Sequence, residues 1–384
     1  MSYKIAYLTS KDPLDKRESS GVYFYQSAAL KKHCGEIHYL GPVNSPVIKT
    51  IRKALNFLQR FIKKKYNHSH SIIVSKIYGR IFSKKLRQGE YDFVFADKSS
   101  SEISFLETSV PLIYSTDATF NLLHGYYPVF SGLMELSIKE GHRIEQNAIN
   151  RASLVICTSR WAANSVINDY MCPEDKVFIM PRGANIDEPP ERERIDARRK
   201  NNACRLLFVG QEWHRKGYDI AYQTMRYIRS KGYPVELVVA GCTPPSEFVD
   251  EDVTLVNYID KNTVEGRARF DDIMFNADFL FLPVRAECAA IAFCEAAAYG
   301  LPVITRDTGG VSDVVRDGVN GCVLEPEAGY EEYGGLIIST FESDDKYYNL
   351  VSSSRDYYEK VLNWDVWGAG MKKILDERVN VNKT

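Results

Sequence analysis

No apolar run in this 384-residue chain approaches the roughly 18 residues that cross a bilayer, which argues against a helical membrane protein. The opening Met1-Ser2-Tyr3-Lys4-Ile5-Ala6-Tyr7-Leu8 is too short an apolar stretch for a secretory signal, so a cytoplasmic location is expected. Net charge is almost absent, with 49 basic against 50 acidic residues, and this removes the whole-protein case for a nucleic-acid partner. The 8 cysteines are scattered, with no C-x-x-C pair and no histidine at zinc-finger spacing; they read as reduced, buried, small hydrophobes. A G-x-G-x-x-G turn after a strand, a Walker loop and a nucleophile elbow are also missing, so dehydrogenase, P-loop and hydrolase readings have little support. Without a short-period repeat, solenoids are set aside.

What the chain does have is apolar residues, 45 % of the total with 12 % aromatic, enough for large cores, and a length that suggests two or three domains. Short apolar runs recur at Lys4–Leu8, Glu36–Leu40, Tyr91–Phe95, Pro111–Tyr114, Leu154–Cys157 and Val177–Met180, each followed by a helix-like segment. A second set follows the charged stretch Glu188-Pro189-Pro190-Glu191-Arg192-Glu193-Arg194: Arg205–Val209, Val235–Ala240, Thr254–Tyr258, Phe279–Pro283, Pro302–Thr305 and Cys322–Leu324. Near-continuous apolar strands alternating with helices predict α/β architecture with parallel sheets covered on both faces. In such sheets ligands sit beyond the C-terminal strand ends, so the loops there are where chemistry is sought.

Phe281-Leu282-Pro283-Val284-Arg285-Ala286-Glu287-Cys288-Ala289-Ala290-Ile291-Ala292-Phe293-Cys294-Glu295-Ala296 takes a predicted strand through a loop into a helix. A glutamate in the loop and one in the helix can fold around one ligand: the helix N–H groups favour phosphate and a carboxylate accepts hydrogen bonds from sugar hydroxyls. Taken alone, the pair reads equally as two solvated glutamates beside a structural helix. Upstream, Gly210-Gln211-Glu212-Trp213-His214-Arg215-Lys216-Gly217 follows a strand and ends in two cations suited to a diphosphate. Downstream come Gly300-Leu301-Pro302-Val303, then Asp307-Thr308-Gly309-Gly310, a turn expected to open another helix, and Asp317-Gly318-Val319-Asn320-Gly321.

This series resembles the C-terminal half of the retaining GT-B glycosyltransferases of family four, the group 1 glycosyltransferases, over about residues 205–325. Looser similarity extends to Ser20-Gly21-Val22, Thr158-Ser159-Arg160-Trp161, Pro181-Arg182-Gly183-Ala184-Asn185 and Asn363-Trp364-Asp365-Val366-Trp367. The resemblance implies two Rossmann-like domains facing a central cleft. Residues 1–187 would form the acceptor-side domain, 188–203 a linker and 204–364 the nucleotide-sugar domain, with a helix at about 365–384 packing back on the first. It further implies a nucleotide-sugar donor bound by Gly21, Gly210, Arg215, Lys216, Ala290, Ile291 and Glu295, no metal and no other cofactor. Glu295 would hold the ribose diol, Glu287 would face the transferred sugar and Lys216 would neutralise the leaving diphosphate. Three departures stand out. Gln211 replaces the family's arginine, leaving Arg215 or Arg182 to supply that charge. Cys288-Ala289-Ala290 replaces Gly-Phe-Gly, which narrows the sugar pocket. Asp117 or Thr116 stands where the family often has histidine, and Asp117 is taken as the catalytic candidate.

Between Glu36 and Glu90 there is no acidic residue, yet Lys49, Arg52, Lys53, Arg60, Lys63, Lys64, Lys65, Lys76, Arg80, Lys84, Lys85 and Arg87 lie there. Apolar residues at Ile48, Ile51, Leu55, Leu58 and Ile62 keep helical spacing, giving a basic amphipathic helix. Residues 48–87 thus present either an anionic-membrane contact or a core-packed stripe with a solvated basic face. Asp250-Glu251-Asp252 fits a D-x-D metal pattern but reads as a solvated turn, and His214 reads as a loop residue rather than a base.

The expected function is sugar transfer from a nucleotide-sugar donor to a glycan or lipid-linked acceptor in surface polysaccharide or lipopolysaccharide synthesis, at the inner face of the membrane. A nucleotide-sugar epimerase of the same shape and a non-catalytic binding subunit are the alternatives.

Overall fold

The computed structural model describes residues 2–59 and 64–378. It contains two compact units, Met1–Met180 with Gly368–Thr384, and Pro181–Trp367.

In the first unit six parallel strands, β1 (Tyr3–Leu8), β2 (Gly35–Tyr39), β3 (Phe93–Asp97), β4 (Leu112–Thr116), β5 (Leu154–Cys157) and β6 (Val177–Ile179), form a sheet of order β2-β1-β3-β4-β5-β6. The second unit repeats this with β7 (Cys204–Val209), β8 (Val235–Ala240), β9 (Val253–Val256), β10 (Phe279–Leu282), β11 (Val303–Arg306) and β12 (Gly321–Leu324), in order β12-β11-β10-β7-β8-β9. The two halves are therefore not identical. Counted from its own first strand, the second sheet has the 3-2-1-4-5-6 order of a Rossmann fold, and the first has the other doubly wound order, beginning 2-1-3. β3, β4, β5 and β10 are buried along their whole length, whereas the edge strands β2, β6 and β9 are half exposed. A fully buried Phe or Leu contributes about 1.5–3 kcal/mol, so the central strands anchor each unit.

The second unit begins at Pro181, ahead of the charged stretch. Ala184 packs in that unit's core and its N–H bonds the Leu362 carbonyl, while the Trp364 indole N–H donates to Asn185. Gly183 has no room for a β-carbon, which would lie 2.3 Å from Trp364 N. Residues 192–198 are not a loose connector either. They form the short helix Arg192–Asp196, followed by buried Arg198, which donates to the Tyr299 carbonyl. The helix Trp364–Arg378 leaves the second unit at Trp367; its later residues pack on the first, where the Tyr3 hydroxyl donates to Asp376 at 2.8 Å.

The basic segment forms two helices, Pro46–Gln59 and Ile72–Leu86. Val74, Tyr78, Phe82 and Leu86, four residues apart, are buried; Lys76, Arg80 and Lys84 point outward. In the first helix Ile48 is buried and Ile51 packs partly on the core, while Lys49, Lys53, Val47 and Phe57 are exposed. Ile48 and Ile51 of the apolar stripe thus face the core. Arg60, Phe61, Ile62 and Lys63, with the Leu58 side chain, lie outside the described residues. The turn at Gly309-Gly310 opens only a single 3-10 turn, Val311–Asp313, rather than a full helix. The chain is diverted where the Asn320 side chain bonds both Arg316 N and the Val314 carbonyl.

Candidate active site

In the second sheet the strand order reverses between β7 and β10, and ligands bind at such a reversal. The loop after β7 carries Arg215 and Lys216, and the loop after β10 carries Glu287. Gly217 joins them: at φ +81° it caps the helix Tyr218–Ser230, and a β-carbon there would lie 2.0 Å from the Pro283 carbonyl oxygen. Only glycine permits this approach. Gly210 serves the same end, since its β-carbon would lie 2.9 Å from Lys216 Cγ. In this structure Gly210 makes room for the lysine stem.

The Lys216 ammonium donates to Glu287 Oε2 at 2.6 Å, and Arg215 Nη1 donates to the same oxygen at 3.1 Å and to the Ala286 carbonyl at 2.8 Å. Lys216 and Glu287 are both buried. Burial alone would raise the Glu287 carboxyl, but Lys216 and Arg215 together outweigh it and hold the group below its ordinary value. One carboxylate therefore gathers two cations. An ammonium has three donors, and one is spent on Glu287. Arg285 locks the two loops together, with a bidentate pair to Asp219 at 2.7 and 2.6 Å and a backbone bond from its N–H to the Arg215 carbonyl. The Gly310 N–H donates to the Glu287 carbonyl at 3.2 Å.

Ala290 is the N-cap of the helix Ile291–Ala298, at φ −69° with no side-chain cap bond. The first-turn N–H groups of a helix have no intrahelical partner and with the helix dipole suit an anion. An ordinary φ at Ala290 explains why glycine is dispensable there. Gln211 is exposed, and Arg215 brings the second cation to Glu287 instead. Arg182 is buried, and its carbonyl accepts the Cys294 thiol at 3.4 Å, next to Glu295 in sequence. Glu295 is 4 % exposed. Burial raises its carboxyl above the ordinary value, with Lys261 acting in the opposite direction.

Of the predicted residues, Arg215, Lys216 and Glu287 are in direct contact, with Gly210 against Lys216. Ala290, Ile291 and Glu295 lie on the helix that follows the Glu287 loop. Gly21 and Asp117 belong to the first unit. There Gly21, at φ +89°, caps the helix Val22–His33 after Ser19 and Ser20, which also have left-handed backbones. Asp117 follows β4, with Lys98 Nζ 4.0 Å from its Oδ2. Lys98 has φ +47° and its ammonium bonds the Ser19 hydroxyl. Asp250, Glu251 and Asp252 pair with Arg226 and Arg229 at the N-terminal end of β9, away from the strand ends that carry Lys216 and Glu287. Among the described residues no group of three His, Cys, Asp or Glu is placed to hold a metal ion.

Sequence reading missed Lys261, Arg285, Asp219 and Lys98. Arg285 lies inside a quoted motif and Asp219 just past the end of another, yet only the fold shows that they pair. Lys261 is 34 positions from Glu295, in a segment without local pattern.

A family model described as glycosyl transferases group 1 matches residues 203–341, and one described as glycosyltransferase family 4 matches residues 25–188. An uncharacterized glycosyltransferase of Methanocaldococcus jannaschii is 25 % identical over 272 residues, covering 66 % of this chain and 65 % of that protein. The capsular polysaccharide biosynthesis glycosyltransferase CapM of Staphylococcus aureus is 26 % identical over 192 residues, 47 % of this chain and 50 % of that one. The chain thus matches between half and two thirds of the length of these curated relatives. The crystal structure of Anabaena HepE in complex with UDP shares the fold, with a TM-score of 0.66 at 14 % identity, covering 98 % of this chain and 100 % of that one. With both halves matched in order, the chain belongs to the group 1 glycosyltransferases, of GT-B fold.

Proposed function

We propose that this protein is a retaining glycosyltransferase that moves a sugar from a nucleotide-sugar donor to a glycan or lipid-linked acceptor in surface polysaccharide or lipopolysaccharide synthesis. The observation that carries the reading is the buried Lys216–Glu287 contact of 2.6 Å, with Arg215 on the same oxygen, at the strand-order reversal. This arrangement supplies positive charge for a departing diphosphate, helped by the N–H groups at the start of the helix Ile291–Ala298. Glu295 accepts from the ribose hydroxyls, and Glu287 fixes the cations and faces the sugar. A diphosphate oxygen takes the acceptor's proton on the face the diphosphate leaves, so the protein supplies no strong base. We assign Gly21 and Asp117 to the same reaction. The solved relative's complexes with UDP and UDP-glucose and the capsular role in CapM's name support the donor and pathway classes.

Incubation with a panel of nucleotide sugars tests this reading. The expected result is slow nucleoside diphosphate release from one donor, unchanged by EDTA because Lys216 and Arg215 carry the charge that a metal carries elsewhere. Binding without cleavage of any donor, or isomerisation of the sugar with its diphosphate intact, would replace the transferase with a binding subunit or an epimerase.

We also propose that the first unit contacts an anionic membrane through the outward face of residues 48–87. No helix among the described residues is long and apolar enough to cross a membrane. The contact is instead electrostatic, from Lys49, Lys53, Lys76, Arg80 and Lys84 with exposed Phe57 beside them, at about 1 kcal/mol for each cation near the surface. The protein should sediment with phosphatidylserine vesicles at low salt and be released at high salt; equal recovery with neutral vesicles would refute the contact.

A further inference from the structure

Lys261 follows β9 and reaches across to the helix Ile291–Ala298, with its ammonium 2.5 Å from Glu295 Oε1 and 3.4 Å from the Asn185 carbonyl oxygen. It also lies 4.8 Å from the centre of the Phe270 ring, a cation–π distance. Its backbone is tied as well, since Arg267 Nη1 donates to the Lys261 carbonyl at 3.2 Å. Asn185 is held in turn by the Trp364 indole. The lysine is therefore fixed at both ends. Among the described residues it is the one hydrogen-bond partner of the Glu295 carboxylate. A carboxylate this deeply buried without a cation takes up a proton, and a protonated carboxyl loses acceptor capacity. With one oxygen held, the other keeps its lone pairs for a hydroxyl.

We propose that Lys261 is the positioning residue of the nucleotide site, holding Glu295 by Oε1 so that Oε2 accepts from a ribose hydroxyl. The proposal rests on reading Glu295 as the ribose ligand. It adds what sets that ligand's charge and aim, a cation from another loop. The role is selective: losing Lys261 weakens recognition of the ribose hydroxyls and leaves diphosphate binding by Lys216 and Arg215 in place.

Calorimetric titration with UDP, GDP and ADP, each beside its 2′-deoxy analogue, tests it on the pair bound most tightly. The wild type should prefer the ribonucleotide about 10-fold, the scale of one charge-assisted hydrogen bond. In Lys261→Met the ratio should fall to within about 2-fold of unity while affinity for the deoxy analogue holds, and Lys261→Arg should restore the preference. A merely structural lysine would weaken both ligands equally, so an equal loss overturns the proposal, as does a wild-type ratio in Lys261→Met. Lys261→Gln, which keeps a donor without the charge, carries the same expectation should Lys261→Met fail to fold. Glu295→Gln separates the two levels. If it abolishes the preference while Lys261→Met keeps it, the lysine's role alone is wrong. If the wild type shows no preference, the ribose reading falls with it.

Discussion

Lys216→Ala lowers the turnover number by at least about 100-fold while moving the donor Michaelis constant far less. The asymmetry comes from when the charge develops. A bound nucleotide sugar already carries its diphosphate charge, and Arg215 and the helix N–H groups remain to hold it. What appears only on bond cleavage is the additional charge on the departing oxygen, and interactions made there act on turnover. A 100-fold loss is about 2.7 kcal/mol, within reach of one buried ammonium whose position is set by a 2.6 Å bond to Glu287. Arg215 bounds the loss, because its guanidinium shares that carboxylate oxygen at 3.1 Å. Removing both cations should cost more than either alone but less than the product of the two losses. Lys216→Arg should recover little, since Gly210 leaves room for a slender stem and a planar fork does not place its charge where an ammonium does. Full turnover in Lys216→Ala would remove the lysine from the mechanism.

Glu287→Gln has the second large effect, and it falls on stability as well as on rate. Removing one partner of a buried ion pair leaves the other charge uncompensated, which costs about 3–5 kcal/mol. The lower end applies here, because each side chain of the pair keeps 11 % exposure. About 3 kcal/mol in a unit of this size lowers the melting temperature by roughly 6–12 °C. The pH dependence follows from the direction of the Glu287 shift. Its folded-state pKa is depressed, so its stabilisation is fully present above the ordinary 4.5 and is lost as pH falls through the lower folded value. The gap between wild-type and variant melting temperatures should be constant from neutrality to about pH 4.5 and close below it. A gap that closes between pH 8 and pH 6 would mean that the carboxylate is not ionised between two cations.

All twelve strands could be read from the chain, the central ones because a parallel strand covered on both faces is a plain run of apolar residues, and the half-exposed edges β2, β6 and β9 by their alternation with helix-like segments. The limits shifted where side chains take over the backbone's bonds. The run Tyr91–Phe95 became Phe93–Asp97, since the Asp92 carboxylate accepts the Lys4 N–H at 2.9 Å and Asp97 continues the strand with its carboxylate on the Ser115 hydroxyl. The unit boundary moved ahead of the charged stretch because Ala184 and Asn185 are apolar and polar anchors of the second unit, a role that no local pattern announces. Lys216 and Glu287 were legible as parts of two motifs, and the switch-point rule predicts that such loops meet. Lys261 was not, because its partner Glu295 lies on the helix Ile291–Ala298, 34 positions away, and a lone lysine after a strand looks like any solvated one. The exposed Phe57 on the basic helix was hidden by the helical stripe beside it, whose Ile48 and Ile51 face the core.

The most direct test is a proton NMR time course of the wild-type protein with its preferred nucleotide sugar and an acceptor. The expected result is nucleoside diphosphate release matched by a new sugar signal with the anomeric configuration of the donor. Release with the opposite configuration would contradict retention, and an intact diphosphate throughout would contradict the transferase itself.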